Sequence, residues 1–93
     1  MLTPQNIKQT IAGKGVDDQL EAIAALWNEA ETNSERGLLL AEKGKILWKA
    51  GRRGEAISAY EAGAQIDAGG PAELLLSHSR SIMDFFNPDL LNP

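Results

Sequence analysis

The chain has 93 residues, a net charge of −4, 43% hydrophobic residues and no cysteine. That length supports one modest core but not a core plus a deep catalytic cleft, and the missing cysteine excludes disulfides, thiolate metal sites and cysteine nucleophiles. The acidic balance speaks against nucleic acid as a main ligand, and no apolar run forms a signal peptide or reaches the roughly 20 residues of a membrane span, so a cytoplasmic location is expected.

The punctuation along the chain is helical throughout. Thr3-Pro4 reads as an N-cap followed by proline at the first helical position, where its missing N–H costs nothing. Ile7 and Ile11 share one face of this first helix, which Gly13 and Gly15 end after about two turns. Asp17 or Asp18 caps a second helix, and Asp18 with Glu21 three residues later has capping-box spacing. Its apolar positions are Leu20, Ile23, Leu26, Trp27 and Ala30.

Thr32-Asn33-Ser34 breaks that helix and caps the next, with Glu35 three residues after Thr32. The third helix is expected from about Glu35 to Lys49 with Leu39, Leu40, Ile46 and Leu47 as its core. It closes at Ala50-Gly51, where Lys45, Lys49, Arg52 and Arg53 gather at the negative end of the helix dipole. The fourth helix covers about Gly54 to Ile66. Pro71 opens the fifth, expected to reach Phe86, with Leu74, Leu75, Ile82, Phe85 and Phe86 as its apolar set. Residues 87–93 (Asn-Pro-Asp-Leu-Leu-Asn-Pro) form an extended tail, since the prolines cannot continue a helix. No segment alternates with period two, so no strands are expected.

Short turns make consecutive helices antiparallel neighbours, and the pairs repeat. Glu-Ala-Ile-x-Ala occurs at Glu21–Ala25 and again 34 residues later at Glu55–Ala59. Leu38-Leu39-Leu40 aligns with Leu74-Leu75-Leu76 at an offset of 36, which the Gly69-Gly70 insertion explains. A fixed period of this length marks a helical repeat array. Over Gly37 to Gly70 the chain resembles the tetratricopeptide repeat (TPR) family, a 34-residue helix-pair module. Gly44 stands where that family needs a small residue for close helix approach, Gly51 in the inter-helix turn, Ala56 and Gly63 at the small positions of the second helix, and Tyr60 at its aromatic position. Asp67 stands at the repeat exit, with Ala68 in place of proline. Lys43 and Leu47 depart from the pattern, as does Glu29 in the upstream copy, which keeps Ala22 and Leu26. The resemblance implies an all-α fold, a short right-handed α-solenoid of about five helices over residues 1–86, with the fifth helix as a solvating cap.

Chemistry is sparse. The only histidine, His78, lies among Ser77, Ser79 and Ser81 with no third group to orient it, as nucleophilic catalysis requires; it reads as a polar surface or groove residue. No metal-ligand spacing and no phosphate loop occur: Gly13-Lys14-Gly15 is a helix stop and Gly44-Lys45 a close packing point. No enzyme activity, cofactor or metal is expected. Between Lys43 and Arg53 lie five cations (Lys43, Lys45, Lys49, Arg52, Arg53) and no acid, a positive patch on an acidic chain.

The resemblance implies that first helices of each pair line an inner groove, presenting Ala41, Lys45, Trp48, Lys49, Ser77 and Ser81. Trp48 flanked by lysines has the composition of a binding hot spot and suits a protein or peptide with an acidic or carboxylate end. Alternatively, Trp48 packs against the first or fifth helix and the lysines only complement the helix dipole. The lysine–asparagine clamp of some TPR proteins is not expected, because Ala41 and Lys45 occupy its places. The leading expectation is a small non-catalytic adaptor; the rival is a self-associating homodimer with no external ligand, in which Leu90 and Leu91 of the tail dock into another copy, whereas a tail folded back over its own groove would be a plug that a partner must displace.

Overall fold

The computed structural model describes residues 1–85, with side chains described through Ile82. It is all-helical: α1 (Pro4–Ile11), α2 (Val16–Trp27), α3 (Asn33–Lys49), α4 (Arg53–Ile66) and α5 (Pro71–Phe85), with no strand among the described residues. The expectations for residues 86–93, including the tail and the Phe86 core position, lie outside the described residues.

The helix ends follow local backbone chemistry. The Thr3 side chain accepts from Asn6 N–H at 3.1 Å, as an N-cap does. The start of α2 differs from the expected Asp17/Asp18 cap. Gly15 is the N-cap, without a side-chain hydrogen bond, and its carbonyl accepts from Gln19 N–H at 2.9 Å. The extended backbone at Gly15 already turns the chain into the helix, so Asp17 and Asp18 fall inside the first turn, where they complement the dipole.

At α3 the Thr32 hydroxyl accepts from Glu35 N–H at 3.1 Å and donates to the Glu35 carboxylate at 3.2 Å. That carboxylate then accepts from Leu2 N–H at 2.8 Å, tying the N-terminal segment to the start of α3. The Leu2 hydrogen bond, aided by Thr32 and opposed by burial, holds the Glu35 carboxyl below its usual range. α3 ends in a Schellman motif: Arg52 N–H donates to Leu47 O at 2.9 Å, Gly51 N–H to Trp48 O at 3.1 Å, and Gly51 takes φ +82°.

α3 is the hub, packing against each of the other helices. Its Leu39 and Ile46 join Ile7, Ile11, Ile23 and Ala30 in one cluster, while its Leu47 joins Ala56, Ala59, Tyr60 and Leu76 in another. Small residues bring the helices close. A Cβ on Gly44 would lie within 3.0 Å of three Tyr60 ring atoms, and one on Gly63 would meet Ala72 Cβ at 2.5 Å.

That second contact sets the rotation of α5. With Ala72 turned to α4, residues 72, 76 and 79 face inward; Ala72, Leu76 and Ser79 are buried, while Leu74, expected in the core, is 72% exposed. Leu40 and Leu26 are half-buried and Trp27 is partly exposed, so Ile23 and Ala30 carry the burial around α2.

Candidate functional site

An open groove of about 610 Å³ runs along the C-terminal half of α3. α3 forms its floor with Glu42, Lys45, Ile46, Trp48 and Lys49. Lys8 and Ile11 of α1, with Val16 and Gln19 of α2, make one wall; Leu75, His78, Ser79 and Ile82 of α5 make the other. The α1–α2 wall is held by Gln19 Nε2 donating to Ile11 O at 3.1 Å, which also satisfies a carbonyl at the end of α1. Tyr60 is the only α4 residue in the lining. It reaches the groove from the rear because Gly44 has no side chain to block the ring.

Of the six residues expected to line a groove, Lys45, Trp48 and Lys49 do so. Ala41 is 1% exposed, so its methyl is interior packing rather than groove surface. Ser77 and Ser81 are exposed but lie outside the lining. The groove face of α5 runs through 75, 78, 79 and 82, and positions 77 and 81 point away from it. Lys8, Glu42, Tyr60 and Ser79 line the groove without having been anticipated. For Lys8 a signal existed: it is three residues before Ile11, beside the buried stripe of α1.

The cations between Lys43 and Arg53 divide. Lys45 Nζ pairs with Glu42 Oε1 at 3.1 Å across the floor. Arg52 turns away into a two-pronged pair with Glu55, at 3.0 and 2.7 Å, which raises the guanidinium and lowers the carboxyl from their usual values. Arg53 lies 5.0 Å from the Trp48 ring centroid, a cation–π contact that covers one face of the half-buried indole. Lys8 and Lys49 make no ion pair with a described residue. The groove thus combines an apolar lining of Ile11, Ile46, Trp48, Leu75 and Ile82 with the cations Lys8, Lys45 and Lys49 and the acid Glu42.

No group of three or more metal-ligating side chains occurs among the described residues. None of the described helices is long and apolar enough to cross a membrane. No protein-family model, curated protein or solved structure matches the chain.

Proposed function

We propose that this chain is a small cytoplasmic adaptor of the TPR type, a short α-solenoid that binds a protein or peptide in its groove and catalyses no reaction. In this reading α1–α2 and α3–α4 are successive helix pairs and α5 is a terminal first helix. The observation that carries it is that α1, α3 and α5, the first helices of each pair, supply most of one groove's lining, with Val16 and Gln19 of α2 and Tyr60 of α4 completing it. The fit of Tyr60 over Gly44 and of Ala72 against Gly63 supports the same register.

The occupant this groove suits is a segment with apolar residues for Ile46, Trp48, Leu75 and Ile82 and acidic groups for Lys8 and Lys49. The floor from Glu42 to Ala50 spans about 12 Å of helix, the length of roughly four extended residues. The test is fluorescence anisotropy of a labelled Leu-Asp-Leu-Glu-Asp peptide with a free carboxylate. Reversing Lys8 and Lys49 to Glu should weaken binding at least about tenfold at low salt, with helicity unchanged, because each site changes from attraction to repulsion. Equal affinity for the reversed variant would remove the groove from the account.

A further inference from the structure

The groove lining carries polar residues, Glu42 on its floor, Ser79 on the α5 wall and Tyr60 of α4, that apolar and acidic groups would leave unused. None of the three is more than 4% exposed. Buried polar groups cost free energy unless they are partnered. Glu42 is partly satisfied, since Oε1 accepts from Lys45, while Oε2 has no donor among the described residues. The Tyr60 and Ser79 hydroxyls make no hydrogen bond to a described residue, and no fully enclosed side-chain polar atom lacks a partner among them. Both residues line the groove, and neither hydroxyl is a fully enclosed atom without a partner. Burial and the nearby Glu42 carboxylate push the Tyr60 phenol above its ordinary value, so it remains a donor at neutral pH.

We propose that this cluster is a recognition site for a primary amide, the side chain of Asn or Gln in the bound segment; the inference rests on the groove reading above. The amide oxygen accepts from the Tyr60 and Ser79 hydroxyls, and the amide NH₂ donates to the second oxygen of Glu42. A carboxylate fits worse, because it brings no donor and sets a like charge beside a buried acid. An alkyl group fits worse because it displaces water while leaving three polar atoms without partners. The acidic groups of the segment stay at the edge with Lys8 and Lys49, and its apolar residues lie against Ile46, Leu75 and Ile82.

The experiment titrates the full chain by calorimetry with Ac-Asp-Leu-X-Leu-Asp, capped as the N-methylamide, with X as Gln, Glu or norleucine. The cap leaves X as the sole primary amide. The Gln peptide should bind about tenfold more tightly than either of the others. Tyr60→Phe keeps the ring over Gly44 and should cut that preference to about threefold or less without changing helicity or Tm. Ser79→Ala should do the same and serves if the Phe variant folds poorly. Equal affinities for the three peptides, or tighter binding of the Glu peptide, would overturn the amide site while the groove reading stands. Absence of binding by all three would overturn both.

Discussion

Replacing Gly44 by Ala sets two known effects against each other. In a helix interior Ala is favoured over Gly by about 1 kcal/mol, so an open site would be stabilised. Gly44 is not open: the new methyl would lie within 3.0 Å of Cδ1, Cε1 and Cζ of Tyr60, a ring only 2% exposed. Restoring van der Waals spacing needs α3 or the ring to retreat by on the order of 1 Å. The ring cannot swing out, because it is packed in the cluster of Leu47, Ala56, Ala59 and Leu76. Overpacking of this kind costs about 1–3 kcal/mol, and the smallness of the clash partner's freedom places the cost in the upper part of that range. The net expectation is a loss of about 1–2 kcal/mol, or a Tm lower by roughly 5–15 °C for a domain of this size. Urea unfolding followed by far-ultraviolet circular dichroism measures it. Gly54→Ala is the control, since its methyl meets nothing within 4 Å, and it should be neutral or stabilising. If Gly44→Ala is as stable as the parent, the helices do not meet at Gly44, and the assigned helix-pair register fails with them.

Two further outcomes follow from burial and charge. Leu76→Ala should cost about 2–4 kcal/mol, since Leu76 is 8% exposed within the second cluster, whereas Leu74→Ala at 72% exposure should stay within about 0.5 kcal/mol; equal losses would mean α5 is rotated from the orientation described. The Glu35 carboxyl is lowered in the folded chain, so its stabilising contribution is fully present above the unfolded carboxyl range and is lost as pH falls through the lowered value. Glu35→Gln should therefore flatten the acid limb of the stability–pH curve measured by urea unfolding between pH 7 and pH 2, and an unchanged limb would show that Glu35 does not hold the Leu2 segment.

The parts of the fold legible in the sequence are those fixed by chemistry within a few residues. Thr3 and Thr32 cap their helices, Gly51 closes α3 in the left-handed region, and Gly44 is the point of close approach. The start of α2 is not legible locally, because Asp17 and Asp18 have the composition of a cap while the Gly15 backbone already begins the turn. Three consecutive leucines, 74 to 76, carry no helical phase of their own. Their rotation depends on where α4 crosses, which the Gly63–Ala72 contact decides. The same missing phase keeps Ser77 and Ser81 out of the groove lining despite their position on α5. Lys8, Tyr60 and Ser79 come together only when α1, α4 and α5 pack around α3, and no local pattern encodes that meeting. Lys45, Trp48 and Lys49 were readable because one helix carries all of them at spacings of three and four.

The most direct test of the groove as a binding face is a ¹⁵N–¹H correlation map of the labelled chain, titrated with the Leu-Asp-Leu-Glu-Asp peptide. The account predicts shifts concentrated at Lys8, Lys45, Trp48, Lys49, Leu75 and Ile82, with the Trp48 indole N–H moving and that of Trp27 still. Shifts confined to α2 and the outer face of α4, or none at millimolar peptide, would contradict it.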